Sequence, residues 1–245
     1  MTHDEILYGR LRLWQPDEGP RVNMDTVLLA AYVRPRSRGR SVFVELGSAT
    51  GAVALMLALR FPEKLQILGL EIQPELEELA LRNCLENGLT DRVSFRRMDL
   101  REHRALPPAS FDGLVVNPPY EEEGRGRKSP VSTVSIARQG TCCTLRDVAD
   151  ASFWLLKTGG RFFAVLRADR AAEFLTLMNE RKITPKRLKF VHPRAGKRAN
   201  LFLVEGVKEA GSGLIVEPPL FVHEDTGEYT ADLLKAYEPE GLPCL

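Results

Sequence analysis

Val42-Phe43-Val44-Glu45-Leu46-Gly47-Ser48-Ala49-Thr50-Gly51 joins an apolar run of strand length to a glycine-punctuated turn. Ala52 to Arg60 then reads as a helix, which makes this stretch the first half of a βαβ unit. The next strand, Leu65 to Leu70, ends at Glu71, about 20 residues beyond Gly51, where an acid in such a unit accepts from ribose hydroxyls. A helix over Pro74 to Glu86 follows, with proline in its first turn and Asn87-Gly88 at its close. Val93 to Met98 is a third strand, and it ends at Asp99.

Further out, the fourth strand, Phe111 to Val116, stops at Asn117-Pro118-Pro119-Tyr120. Proline has no N–H and a fixed φ, so this turn offers carbonyl acceptors with few competing donors. Asn117 adds a side-chain carbonyl and Tyr120 an aromatic face, a set suited to a planar amine. Taken alone, the tetrapeptide is equally a plain strand-ending turn. The acids Glu45, Glu71 and Asp99 tip the balance, because the carboxyl ends of parallel strands share one edge, where ligands bind. The pattern points to a nucleoside.

Before strand one, residues 1 to 23 alternate around Leu7, Leu11, Leu13 and Trp14 as a hairpin or lid, with a turn over Gln15 to Pro20. Asn23 or Asp25 then caps a helix through Val27 to Ala31, ending near Pro35. After Tyr120 the spacing predicts a polar loop, a helix over Leu145 to Lys157 ended by Thr158-Gly159-Gly160, and a fifth strand over Arg161 to Leu166. A helix over Asp169 to Arg181 precedes strands over Arg187 to Val191 and Ala199 to Val207. With no helix between them, these two make an antiparallel end to the sheet. The expected division is an N-terminal segment (1–40) closing the site, a main domain (41–207) and an extension (208–245). Leu214, Ile215, Val216, Leu220, Phe221 and Val222 favour packing of that extension on the domain.

A net charge of +1 decides nothing about partners, but its distribution does. Basic residues cluster at Arg34, Arg36, Arg38 and Arg40, at Arg125, Arg127 and Lys128, and from Arg181 to Arg198, where Phe190 and His192 are interleaved and no acid intervenes. A polyanionic substrate such as RNA is expected there. Cys84, Cys142, Cys143 and Cys244 form no C-x-x-C pair and have no histidine at zinc spacing, so they read as reduced thiols of a cytoplasmic protein without a metal site. No apolar run reaches the ~20 residues of a membrane span, and the N-terminus lacks a signal-peptide layout.

Glu45 to Gly51, Glu71, Asp99 and Asn117-Pro118-Pro119-Tyr120 resemble the class I S-adenosylmethionine-dependent methyltransferases that modify planar nitrogens. The likeness is greatest to bacterial tRNA1(Val) adenine-37 N6-methyltransferases. It extends to Gly9-Arg10-Leu11, Gln15-Pro16 and Leu28-Leu29-Ala30 at the front, and to Val191-His192-Pro193-Arg194 and Glu228-Tyr229-Thr230 near the end. The resemblance implies a Rossmann-like α/β fold: a mostly parallel seven-stranded sheet with an antiparallel C-terminal hairpin and helices on both faces. It also implies S-adenosyl-L-methionine as cofactor and methyl transfer to the N6 amine of an adenine in tRNA. By position, Gly47 and Gly51 would admit the cofactor's methionine end near Glu45, and Glu71 would hold the ribose. Asp99 would accept from the cofactor adenine, flanked by Ile72 and Leu100, while Asp25 closes the site. Asn117, Pro118 and Tyr120 would hold the target base. Two departures stand out: Ala49 replaces a usual third glycine, and Gln139-Gly140 stands where similar sequences carry His-Glu. Competing readings are methylation of a protein glutamine amide, methylation of guanine N2 in ribosomal RNA, and a non-catalytic RNA binder. A nicotinamide oxidoreductase is disfavoured because the G-x-G-x-x-G spacing is missing.

Overall fold

The amino-terminal alternation folds as a hairpin, β1 (Thr2–Ile6) and β2 (Leu11–Gln15), that buries Leu11 and Leu13 and exposes Arg12. It reverses at Leu7, Tyr8 and Gly9, whose φ angles are 50°, 57° and 79°. The computed structural model describes residues 1–35, 39–118 and 143–238. α1 (Met24–Tyr32) starts at Asn23, not Asp25: the Asn23 side chain accepts from Thr26 N at 3.1 Å, completing a capping box.

Strands and helices then alternate: β3 (Ser41–Leu46), α2 (Ala52–Arg60), β4 (Leu65–Glu71), α3 (Pro74–Glu86), β5 (Val93–Arg97) and β6 (Phe111–Val116). Among the described residues the chain continues with α4 (Leu145–Leu155), β7 (Leu156–Arg167), α5 (Ala171–Glu180), β8 (Ile183–His192) and β9 (Leu201–Lys208). Two-residue strands β10 (Ile215–Val216) and β11 (Leu220–Phe221) and the short α6 (Ala231–Lys235) complete it.

The sheet order is β10-β8-β9-β7-β6-β3-β4-β5, with β11 also beside β8. Only β9 runs against its neighbours, so the seven longer strands form the expected mostly parallel sheet with an antiparallel C-terminal hairpin. β10 and β11, from beyond residue 208, are additions that local pattern does not announce. Helices cover both faces. Phe43, Val115, Phe163 and Leu203 pack toward α1 and α2, while Val44, Leu114, Phe162 and Phe202 pack toward α4 and α5.

One boundary departs from expectation. The helix after residue 145 ends at Leu155, and Thr158-Gly159-Gly160 lies inside β7. Gly159 takes a φ of 72°, and the β6 register shifts between the Phe111–Leu156 and Gly113–Arg161 pairs, so these glycines make a strand irregularity and not a helix cap.

Candidate active site

Register places the strand tips. Leu46 pairs with Leu70 on one side and Val116 on the other, so Gly47, Glu71 and Asn117 follow at one level of the carboxyl edge. Glu71 and Asn117 are two strands apart, about 10 Å across the sheet. Asn117 is half-buried and Pro118 buried. Pro119, Tyr120 and the basic residues 125–128 lie outside the described residues.

The turn after β3 is held from below and from the side. Gly51 has a φ of 82°, and a Cβ there would come 2.5 Å from the Phe95 ring, so the position takes only glycine. Gly47, at φ 68°, has nothing within 4 Å of an added Cβ: its backbone faces open space. Ala49 also adopts a positive φ, 46°, where the family pattern has glycine. Its N–H donates to Glu71 Oε2 at 2.8 Å, and Ile72 N and Gln73 N donate to Glu71 Oε1 at 3.0 Å each. Glu71 therefore ties the turn to the end of β4. Glu45 is fully enclosed, with Oε2 accepting from Ala54 N at 3.0 Å. Burial pushes its carboxyl well above the usual range; the Ala54 N–H opposes this, and the charge on Glu71 adds to it.

Asp99 caps a 3-10 stretch, Leu100–Ala105, by accepting from Arg101 N at 2.9 Å. The Arg101 guanidinium folds back onto the same carboxylate and holds its pKa below the ordinary value. Ile72 and Leu100 stand half-buried beside Glu71 and Asp99. Asp25 lies half-buried in the first turn of α1, next to the cap and not in it.

Two residues essential to this arrangement escape a reading by strand ends. Asn83, wholly buried on α3, accepts from Trp14 N at 2.7 Å and donates to Trp14 O at 3.1 Å and to Thr50 O at 3.0 Å. One helical turn later Asn87 accepts from Arg12 N at 3.0 Å and donates to Arg12 O at 2.7 Å. The two amides stand where a third strand would beside β2. Asparagines four apart on a helix share one face, the signal by which the pair is recognisable.

The basic run from 181 to 198 is not one surface. Arg187 pairs with Glu217, and with Glu205 at 3.0 Å; Lys189 pairs with Glu217 at 3.2 Å, all largely enclosed. Arg181 pairs with Asp150. Apart from Lys182, the exposed cations of the run are Arg194, Lys197 and Arg198 at the tip of the β8–β9 hairpin. β8 and β7 both oppose β9, so that tip lies on the edge that carries Asn117, whereas Arg40 precedes the amino end of β3 on the opposite edge. Among the described residues no group of His, Cys, Asp and Glu is arranged to hold a metal, and no helix is long and apolar enough to cross a membrane.

A parallel sheet in this strand order, a glycine turn after its first parallel strand and an acid after the next define a methyltransferase of the class that uses S-adenosyl-L-methionine. The family model described as a methyltransferase domain matches residues 43–122. A predicted O-methyltransferase from Agrobacterium tumefaciens superposes with a TM-score of 0.71 at 20% identity, covering 89% of this chain and 98% of that one. A geranyl diphosphate methyltransferase solved in complex with S-adenosylmethionine superposes at 0.55 and 15% identity, over 75% and 84%. Among curated relatives, a tRNA1(Val) (adenine(37)-N6)-methyltransferase from Bacteroides thetaiotaomicron is 30% identical over 74% of this chain and 73% of its own. The same enzyme from Aeromonas hydrophila subsp. hydrophila is 28% identical over 89% of each chain. One from Actinobacillus pleuropneumoniae is 33% identical over 57% of this chain and 56% of its own length. The chain belongs to the tRNA1(Val) (adenine(37)-N6)-methyltransferase family.

Proposed function

We propose that this protein transfers a methyl group from S-adenosyl-L-methionine to the N6 amine of an adenine in tRNA. The observation that carries the reading is the shared level of Gly47, Glu71 and Asn117 on one edge. The bare geometry fits the cofactor. Gly47 leaves room for its methionine end, and Glu71 Oε2, with one N–H bound, keeps a lone pair for a ribose hydroxyl. Ser48 Oγ is buried in the turn with no hydrogen-bond partner among the described residues, a further polar atom for a ligand. In this reading Asp99 accepts from the cofactor's adenine between Ile72 and Leu100, and Asp25 closes the site from α1. Glu45, behind the turn, holds α2 in place through Ala54.

The cofactor supplies a sulfonium-activated methyl group. An aromatic amine is a weak nucleophile because its lone pair is delocalised. Asn117 Oδ1 and the Pro118 carbonyl accept its two hydrogens, turning that lone pair out of the ring plane and along the line of attack. Neither Pro118 nor Pro119 offers an N–H that would compete for those acceptors. Tyr120 stacks on the extruded base, a contact worth about 1–3 kcal/mol. An unpaired loop gives up its base at least cost. Arg194, Lys197 and Arg198 meet the RNA backbone on the same edge. The enclosed Arg187 and Lys189 do not take part. As a tRNA-modifying enzyme it works in the cytoplasm.

Asn117→Ala tests the reading. Methyl transfer to unmodified tRNA should fall by about 100-fold or more while S-adenosylhomocysteine still binds. Turnover at the wild-type rate would remove Asn117 from the mechanism.

A further inference from the structure

Arg101 stands two residues after Asp99, and its side chain turns back onto that carboxylate. Nε lies 3.0 Å from Asp99 Oδ1 and 2.8 Å from Oδ2, Nη2 lies 2.5 Å from Oδ2, and the Arg101 backbone N–H lies 2.9 Å from Oδ1. A carboxylate offers about four acceptor directions, and residue 101 alone engages most of them. What remains is room for a single further donor. The planar guanidinium fork also fixes the plane of the carboxylate, which a point charge would not do.

We propose that Arg101 is a positioning residue: it locks Asp99 as a one-donor acceptor and so makes the cofactor site select an exocyclic amine over a carbonyl. The inference rests on the reading of Asp99 as the acceptor for the cofactor's adenine. An ionised, clamped carboxylate has no proton to give, so a purine with oxygen in place of the amine sets acceptor against acceptor. Without Arg101 the carboxylate is free to rotate. That freedom lets it turn away from the carbonyl. The variant leaves the fold intact: the Arg101 side chain is 39% exposed, and the backbone N–H that Asp99 caps is unchanged by substitution.

The experiment is titration calorimetry of the full chain with S-adenosylhomocysteine and with S-inosylhomocysteine, which differ in the 6-amine, a carbonyl in the second, and in the hydrogen that the second carries on the adjoining ring nitrogen. Wild type should favour the adenosyl compound by about tenfold or more, and Arg101→Ala should shrink that preference by about fivefold or more, with the urea midpoint unchanged. Arg101→Lys, which keeps the charge and loses the fork, should not restore it. An unchanged preference in Arg101→Ala, an equal loss of affinity for both compounds, or full restoration by lysine would overturn the assignment. Equal binding of both compounds by wild type would instead overturn the role of Asp99, and the inference with it.

Discussion

Two pairs of buried glutamates divide the sheet. Glu45 and Glu71 on one side, Glu205 and Glu217 on the other, are all 3–4% exposed, yet they are satisfied in opposite ways. The first pair is held by backbone N–H groups of nearby residues: Ala54 for Glu45, and Ala49, Ile72 and Gln73 for Glu71. The second pair is held by cationic side chains, Arg187, Lys189 and Arg161. Backbone amides orient Glu71 and leave a lone pair of Oε2 open, whereas burial favours the protonated form of Glu45 behind the turn. Arg161, Arg187 and Lys189 engage both oxygens of Glu205 and of Glu217 in the interior, which leaves those acids structural. Burial of an acid therefore does not by itself mark a site.

The contrast breaks first at Glu217. Glu217→Ala removes the acid that Lys189 pairs with and leaves Arg187 to Glu205, and it should cost about 3–5 kcal/mol in urea denaturation while S-adenosylhomocysteine affinity stays within twofold. A large loss of affinity would show that the two halves are not separate. Glu71→Gln should do the reverse, weakening that ligand by about 10–150-fold in calorimetry, the equivalent of about 1.5–3 kcal/mol for a hydrogen bond to a charged group.

Glu45 sharpens the comparison through pH. Its folded pKa is raised, so the folded state holds the proton longer, and stability declines as pH climbs from the ordinary glutamate range through the folded value. Glu45→Gln carries no such proton. Thermal melts from about pH 5 to pH 8 should show wild type losing ground to the variant as pH rises, and parallel curves would refute it.

The smallest effect belongs to Tyr32, whose ring lies 5.1 Å from the Arg187 guanidinium and whose buried hydroxyl has no hydrogen-bond partner among the described residues. Tyr32→Phe keeps the ring and removes an unsatisfied group, so the urea midpoint should hold or rise by the equivalent of about 1 kcal/mol.

Legibility followed the range of the interaction. α2 and α3 begin and end where glycine, proline and the Asn87-Gly88 stop place them, because those signals act within a turn of chain. The places of Glu71 and Asn117 were legible for the same reason: each stands at the end of its own strand. Arg187 and Lys189 read as part of a basic run expected to meet RNA, because their partner Glu217 stands about thirty positions away and no local pattern records that pairing. Asn83 was hidden similarly, since its partner Trp14 belongs to another element 69 residues earlier. Thr158-Gly159-Gly160 looked like a helix stop until the β6 register drew it into a strand.

Asn83 also gives the amino-terminal hairpin a role beyond covering the domain. One carboxamide reads the main chain of Trp14 on one side and steadies the Thr50 carbonyl on the other, so prying the first fifteen residues loose would unsettle the glycine turn directly. The glycine turn and the leading hairpin thus share one carboxamide, and each should report on the state of the other.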